Sequence, residues 1–367
     1  MGHQDILADQ LDQASDKFKR GKIDRRQFLS ICAALGLTPI VIDKALADSK
    51  EIVVAHWGGD TGKAIDTSFI APFAKDSGLK AVNDGSGTAE GKIKAMVDSK
   101  NVIWDVIDTG VGTILALGKN GYLEKIDYSV VDKSKVIGGF TYDYGVANYM
   151  FSYVLGYDKT KFGGKEPQSW ADFWNTKDFP GKRGFRKDIQ GMLEVALMAD
   201  GVPLDKIYPI DEKRAFAKLK EIKKDSVYWT FGAQSQQLLR EGEVTMSVIW
   251  STRVKALFDD TQGRCKWTWN QGILCPGVWA IPKGNPGGKN ASQFIASAQD
   301  PARQIELFKL VNGGPANPAA ASLVPPDQNW LNPSSTENVA KQLKIGFEWY
   351  GQNQSRLQDQ LIDFIAS

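Results

Sequence analysis

The stretch QSWADFWNTKDFPGKRGFRKD, residues 168–188, predicts a turn, a short helix, a loop and a strand in succession. The hydroxyl of Ser169 can accept a hydrogen bond from the first turn of the helix, and Pro180 ends the helical pattern. The strand that follows delivers Arg186 and Asp188 to its carboxyl end. Because ligands bind at the carboxyl ends of strands in open α/β sheets, this stretch predicts part of a binding site.

Three strand and helix units precede this stretch. Short apolar runs at residues 51–59, 79–82 and 102–110 predict strands with their loops, and each is followed by a helical pattern. Further strands are expected at residues 226–230 and 244–250. Strands that alternate with helices predict parallel, doubly wound sheets, and the length of the chain favours two domains.

Several phrases of the sequence resemble one protein family. SWADFW at residues 169–174, FPGKRGFR at residues 179–186 and LLREGEVTMSVIWSTRV at residues 238–254 are similar to periplasmic solute-binding proteins of ABC importers, in the spermidine/putrescine-type branch. The resemblance covers residues 51–330. It implies a type II periplasmic-binding-protein fold of two lobes, each a doubly wound sheet flanked by helices, with a ligand cleft between the lobes.

The resemblance also implies where the chain divides. The first lobe is expected to comprise residues 48–155 and 279–330, the second lobe residues 156–278, and the C-terminal helices residues 331–367. No low-complexity linker separates the lobes. We therefore expect a hinge that closes on the ligand.

Residues 1–47 predict a twin-arginine (Tat) signal peptide. Arg25 and Arg26 are followed by an apolar run at residues 29–42 and by a small-x-small cleavage site that ends at Ala47. The apolar run is shorter than the ~20 residues that a transmembrane helix needs. Cys32 lies inside this run, which disfavours a lipid anchor. The sequence therefore predicts a protein that is exported to the periplasm and cleaved after Ala47.

Composition and motifs exclude several classes of function. The 367-residue chain has a formal net charge of +2 with scattered Lys and Arg, which favours neither a nucleic-acid surface nor a polybasic membrane patch. Of its two histidines only His56 lies beyond the predicted signal, and no G-x-S-x-G, H-E-x-x-H, C-x-x-C or Walker A motif occurs. We expect no enzyme, no cofactor and no metal site.

Two cysteines beyond the signal allow a disulfide. Cys265 and Cys275 flank an alternating segment with a turn signal at Asn270, Gln271 and Gly272, so a hairpin would bring the thiols together in an oxidising compartment. Two buried free thiols are the alternative, because the sequence does not give the distance between the Cα atoms.

Candidate ligand-binding residues follow the predicted strands. The resemblance implies that Trp57 and Trp250 form an aromatic wall and that Asp188 binds an amine, whereas packing inside a lobe is the alternative for each tryptophan. The candidates are Trp57, Ser86, Asp108 and Thr109 in the first lobe, and Arg186, Asp188, Trp229, Trp250 and Arg253 in the second.

The family's pattern for polyamines is incomplete here. Gly277 replaces a second carboxylate, Gly191 or Gln190 replaces a further glutamate, and Gly314 replaces a loop tyrosine. A long diamine needs an anion at each end, because an unpaired buried ammonium is costly. Arg186 would instead fit a ligand that also carries a carboxylate.

We therefore expect the binding component of an ABC importer for a small amine-containing solute, with putrescine or spermidine first and a zwitterion such as γ-aminobutyrate as the alternative. A ferric-iron receptor is another alternative, because it needs several Tyr or His ligands and the sequence offers Tyr142, Tyr144 and Tyr149. A secreted enzyme is a further weak alternative. The expected partner is an inner-membrane ABC permease, and we expect a monomer.

Overall fold

The computed structural model describes residues 3–19, 23, 25–36 and 51–367. Helices His3–Lys19 and Arg25–Ala34 lie within the predicted signal. Phe28, Leu29 and Cys32 of the second helix pack against Ala14 and Phe18 of the first. The predicted cleavage site after Ala47 lies outside the described residues.

The chain forms two compact units. The first unit is Met1–Ala147 with Val278–Arg303, and the second is Asn148–Gly277 with Gln304–Ser367. The strands, in chain order, are β1 Glu51–Ala55, β2 Lys80–Asp84, β3 Val106–Thr109, β4 Thr141–Tyr142, β5 Gly145–Asp158, β6 Arg183–Arg186, β7 Ser226–Trp229, β8 Met246–Trp250, β9 Cys265–Ala280, β10 Gly314–Pro315 and β11 Leu343–Lys344.

Parallel strands form the sheet of the first unit. β1 pairs with β2 on one side and β3 on the other, and the end of β9 pairs antiparallel with β3. Every residue of β1 is buried, as its apolar β-branched composition predicts. Beyond the two N-terminal helices, the helices of this unit are Gly59–Ile65, Asp66–Ile70 (a π-helix), Ala71–Ser77, Glu90–Asp98, Val111–Lys119, Lys133–Lys135 (3₁₀) and Lys289–Ala298.

The sheet of the second unit has the order β5-β8-β6-β7. β6 is parallel to β7 and β8, whereas β5 is antiparallel to β8. The alternation of strands and helices predicted from the sequence is confirmed. The α-helices of this unit are Trp170–Trp174, Met192–Ala199, Glu212–Ile222, Gly232–Arg240, Ser251–Asp260, Pro318–Ala321, Thr336–Val339 and Phe347–Ala366, and Pro301–Val311 contains the division after Arg303. The 3₁₀ turns are Lys159–Lys161, Leu204–Lys206, Lys223–Asp225 and Pro326–Leu331.

The division differs from the expected lobes. Residues 148–155, 304–330 and 331–367 all belong to the second unit. Backbone pairing explains this: β10 pairs with β5 at Met150 and Tyr149, and β11 pairs with β9 at Ile273 and Leu274. The C-terminal segment is therefore part of the second unit rather than an appendage.

The stretch at residues 168–188 folds as predicted. Ser169 caps Trp170–Trp174 in a capping box with Asp172. Arg183 is fully buried, and its guanidinium donates to Phe173 O at 2.6 Å and to Phe179 O at 2.5 Å. Arg183 thus fastens the loop to the start of β6, the strand that ends at Arg186.

The predicted hairpin between the cysteines is wrong. β9 runs unbroken through Gln271, whose backbone has a φ of 58° and whose N–H donates to Lys341 O at 2.9 Å. Cys265 and Cys275 lie ten positions apart on this one strand, so their Cα atoms are much farther apart than the ~7 Å that a disulfide can span, and no disulfide forms. Both are buried free thiols.

Among the described residues, no helix combines the length and the apolar character that crossing a membrane requires.

Candidate ligand-binding groups

The second unit brings several predicted residues to one edge of its sheet. β6, β7 and β8 are parallel and end at Arg186, Trp229 and Trp250. Arg186 and Trp229 are register partners, and Tyr153 of β5 is the partner of Trp250. The carboxyl ends of these three strands therefore assemble a single group of side chains.

Arg186 is the centre of this group. Its Nη1 donates to Tyr153 Oη at 2.6 Å, its Nη2 lies 3.3 Å from Asp188 Oδ2, and its guanidinium carbon lies 5.0 Å from the centre of the Trp250 ring. Burial alone would lower the pKa of Arg186, but the Asp188 carboxylate and the Tyr153 hydroxyl outweigh it, so the pKa is raised. Arg186 is a permanent cation that can bind a carboxylate.

The side chains of this ion pair are only partly accessible. Arg186 is 16% exposed and Asp188 is 31% exposed. Asp188 Oδ1 also accepts a hydrogen bond from Gln190 N at 3.1 Å. The carboxylate is therefore held in place by its own turn while one side remains open to solvent.

Trp250 rests on other aromatic rings. Trp229 meets it edge-on with ring centres 5.5 Å apart, and Phe151 and Tyr153 contact it at 6.3 and 6.4 Å. Trp229 itself is fully buried in the core with Val154. Trp229 therefore packs inside the second unit, as the alternative to ligand binding predicts for this residue. The edge of its ring supports the ring of Trp250.

Arg253 lies beside the same ring. It belongs to the first turn of Ser251–Asp260 and is 5% exposed. Gly232 makes room for both side chains, since a Cβ at this position would lie 2.6 Å from Arg253 Nε and 2.9 Å from Trp250 Cζ3. A glycine is required here by close approach.

Some buried donors of this group have no hydrogen-bond partner among the described residues. They are Arg186 Nε and Trp250 Nε1. Leaving such groups unpaired is unfavourable, so each can gain from a polar ligand. Trp267 and Trp279, which lie elsewhere, also have unpaired ring nitrogens, so this observation supports the group without defining it.

His56 organises the candidate residues of the first unit. Its Nδ1 accepts from Gly58 N at 3.0 Å, and its Nε2 bonds to Asn83 Oδ1. Burial lowers the pKa of His56, although the Asn83 side chain opposes the shift. The neutral imidazole holds the loop that carries Trp57, which is 43% exposed.

The other first-unit candidates differ in accessibility. Ser86 is exposed, and its N–H donates to Asp84 Oδ1 at 2.9 Å. Asp108 and Thr109 are buried residues of β3, and the backbone oxygen of Asp108 accepts from Thr88 Oγ1 at 2.7 Å. Trp57 and Ser86 therefore reach the surface of this unit, whereas Asp108 and Thr109 lie beneath it.

Tyr153 was missed by sequence reasoning. It lies in a tyrosine- and glycine-rich segment whose pairing the sequence does not reveal, and only the register of β5 with β8 places it beside Arg186. Among the described residues there is no group of three or more His, Cys, Asp or Glu arranged to hold a metal ion.

Comparisons with known proteins identify the family of this chain. Residues 68–334 match the family of bacterial extracellular solute-binding proteins. The chain is 34% identical over 312 residues to a gamma-aminobutyric acid-binding protein of Pseudomonas aeruginosa, which covers 83% of this chain and 88% of that protein.

Solved structures show the same relationship. A GABA receptor is 34% identical with a TM-score of 0.79, covering 86% of this chain and 97% of the other. An ABC transporter substrate-binding protein from Bradyrhizobium japonicum is 37% identical with a TM-score of 0.81, covering 86% and 99%. A spermidine/putrescine-binding protein from Streptococcus pneumoniae is only 16% identical, with a TM-score of 0.68, and shows the fold alone.

The fold is that of a type II periplasmic binding protein, as the sequence predicts. The chain belongs to the bacterial extracellular solute-binding protein family, and it is a substrate-binding protein of an ABC transporter. Its relatives are solute-binding proteins rather than enzymes, and the family implies a membrane permease as partner. The expected family is confirmed, but its spermidine/putrescine branch is not.

Proposed function

We propose that this protein binds a small zwitterion that carries an ammonium and a carboxylate, with γ-aminobutyrate as the leading example, and delivers it to an inner-membrane permease. The arrangement of Arg186 and Asp188 beside Trp250 carries the proposal. The gamma-aminobutyric acid-binding relative, at 34% identity, supports the same class of ligand.

Each end of such a ligand finds a partner of opposite charge. The planar guanidinium of Arg186 can form two parallel hydrogen bonds to a carboxylate. The exposed side of Asp188 can accept from the ammonium, and the face of Trp250 can attract the same cation. Because a zwitterion carries one charge of each sign, it can pair the guanidinium of Arg186 and the carboxylate of Asp188 at the same time.

A polyamine, which the sequence placed first, fits less well. It needs one anion for each ammonium, and the second family carboxylate would stand at Gly277. A Cβ there would lie 2.5 Å from the ring of Tyr149 and 2.7 Å from Asn148 Oδ1, so this packing has no room for a side chain. Gly314 is similarly enclosed, since a Cβ on it would lie 2.8 Å from the ring of Pro333.

The remaining candidates stay predictions. Trp229 and Arg253 lie beside Trp250, and we expect them to affect ligand binding by holding its ring in place. The first-unit candidates Trp57, Ser86, Asp108 and Thr109 can each be tested by a single substitution. We also propose that the protein is a monomer and that the Tat signal directs it to the periplasm.

The proposal is tested by a thermal-shift screen of the full chain with γ-aminobutyrate, putrescine and spermidine. A ligand at 100 times its Kd stabilises by about 2.7 kcal/mol, so binding is readily detected. We expect a shift with γ-aminobutyrate that Arg186→Lys abolishes. The exposed Arg240→Lys serves as the matched control and should retain the shift. A shift with the diamines alone would contradict the proposal.

A further inference from the structure

We propose that Glu194 is a neutral carboxylic acid that positions the turn bearing Asp188, so that ionisation of Glu194 loosens this turn and weakens ligand binding. Glu194 is thus a positioning residue, which acts through the backbone and does not touch the ligand. The effect on binding rests on the proposed function, whereas the protonation state of Glu194 is independent of it.

Glu194 is fully buried in the helix Met192–Ala199, which follows the turn. Tyr208 Oη lies 2.6 Å from its Oε1, and Tyr350 Oη lies 2.8 Å from its Oε2. Both carboxyl oxygens therefore have a hydroxyl neighbour, and no contact with a cationic side chain is needed to satisfy them. A buried carboxylate without a nearby cation is unfavourable.

Tyr350 links this carboxyl group to the turn. Its Oη lies 3.2 Å from Ile189 O and accepts from Gly191 N at 3.3 Å. Ile189 O also accepts from Met192 N at 3.1 Å, and a carbonyl oxygen can accept both bonds. The Tyr350 hydroxyl therefore bonds to the backbone of Ile189 and of Gly191, which are the residues that follow Asp188 and Gln190.

Counting protons decides between the two forms of Glu194. The Tyr350 hydroxyl has one proton but two acceptors, Glu194 Oε2 and Ile189 O. If Glu194 is neutral, its own proton goes to Tyr350 Oη, and the hydroxyl proton goes to Ile189 O. If Glu194 is ionised, it takes the hydroxyl proton and Ile189 O loses that bond. Only the neutral acid satisfies every contact.

The turn has little freedom to adjust. Gly191 has a φ of 85°, and a Cβ on it would lie 3.3 Å from the ring of Tyr153. Tyr153 is in turn the hydrogen-bond acceptor of Arg186. A shift of the turn would therefore disturb both charged residues to which the ligand is assigned.

The titratable groups that face Glu194 are Tyr208, Tyr350 and Cys275. Cys275 also interacts electrostatically with Arg186. Burial raises the pKa of each of these three groups, so they stay neutral near neutral pH. Burial also raises the pKa of Glu194 and outweighs the hydrogen bonds that would lower it. Glu194 is therefore the group of this cluster that ionises first as pH rises.

The test compares the full-length wild type with Glu194→Gln, whose amide reproduces the donor and acceptor of a neutral acid. A raised pKa gives stability that is present at low pH and lost as pH rises. Between about pH 5 and pH 9 we expect the Tm of the ligand-free wild type to fall relative to the variant by at least about 2 °C. The exposed Glu243→Gln, measured in the same way, is the control.

Binding of γ-aminobutyrate is measured over the same range. We expect the wild-type affinity to fall about tenfold toward pH 9 while that of Glu194→Gln changes less than about twofold. Tyr350→Phe, which removes the link to the turn, should lower affinity about tenfold at both ends. Parallel Tm profiles of wild type and Glu194→Gln would overturn the inference. If the expected difference in Tm between wild type and Glu194→Gln is seen but γ-aminobutyrate does not bind, Glu194 is a neutral acid and the proposed ligand is wrong.

Discussion

Arg186 and Tyr153, which lie 33 positions apart in the sequence, meet through a hydrogen bond of 2.6 Å from Nη1 to Oη. This bond fixes one edge of the guanidinium, while Asp188 lies at another. An arginine whose fork is already oriented loses less conformational entropy when it binds a carboxylate. Under the proposed function, Tyr153 therefore orients the guanidinium of Arg186 before the ligand binds.

Replacing Tyr153 with phenylalanine tests this role. We expect Tyr153→Phe to weaken zwitterion binding by about 1–2 kcal/mol, because Arg186 loses a charge-assisted hydrogen bond. Calorimetric titration measures the change. Tyr157→Phe, which removes a hydroxyl that donates to Glu166 instead, is the control and should bind normally. Equal affinities of the two variants would contradict the role given to Tyr153.

The two tryptophans Trp229 and Trp57 should respond differently to truncation. Trp229→Ala removes a fully buried ring and is expected to cost about 3–5 kcal/mol of unfolding free energy. Trp57 is 43% exposed, so Trp57→Ala should change stability by only about 0.5 kcal/mol. Urea denaturation compares them. Similar losses of stability would show that the two environments are not as described.

Gly277 offers a test of the close packing that disfavours a second carboxylate. We expect Gly277→Ala to destabilise the protein by about 1–3 kcal/mol, because the new methyl group meets Tyr149 and Asn148. Gly91→Ala is the matched control, since nothing lies within 4 Å of its Cβ position on the helix Glu90–Asp98. It should be neutral or stabilising by up to about 1 kcal/mol. A harmless Gly277→Ala would reopen the polyamine alternative.

His56 predicts a pH dependence below neutrality. Because burial lowers its pKa in the folded protein, the unfolded chain binds a proton at higher pH than the folded chain does. Stability should therefore fall as pH drops below about 6.5. His56→Gln should remove this part of the acid dependence, as followed by thermal unfolding. An unchanged dependence in the variant would assign it to other groups.

Export is tested at the paired arginines. We expect replacement of both Arg25 and Arg26 by lysine to retain the precursor in the cytoplasm, because the twin-arginine route reads this pair. Fractionation and immunoblotting measure the distribution. Undiminished export of the double variant would contradict a Tat signal.

Much of the fold could be predicted because local patterns agree with it. The β-branched run of β1 and the capping box at Ser169 are decided within a few residues of sequence. The predicted hairpin at Gln271 was wrong because backbone far away in the sequence holds this segment in the strand. Lys341 O accepts a hydrogen bond from Gln271 N, and β11 pairs with the neighbouring residues of β9. A local pattern cannot reveal a partner that lies 70 positions away along the chain.

The candidate site divides in the same way. Arg186, Trp250 and Asp188 could be proposed from the sequence because they lie at the ends of strands or just beyond them, which is a local signal. Tyr153 and Glu194 act through strand register and through helix packing, and neither is encoded locally. Trp229 was placed at the correct strand end, but only the packing of Leu238 and Leu239 around it shows that the ring is buried.

The most direct test of the central claim is calorimetric titration of γ-aminobutyrate into the wild type and Asp188→Asn, with putrescine titrated in parallel. We predict that the wild type binds γ-aminobutyrate and not putrescine, and that Asp188→Asn binds it at least about tenfold more weakly because the ammonium loses its charged partner. Equal affinities of the two proteins, or binding of putrescine alone, would contradict the claim that this pair of charges recognises a zwitterion.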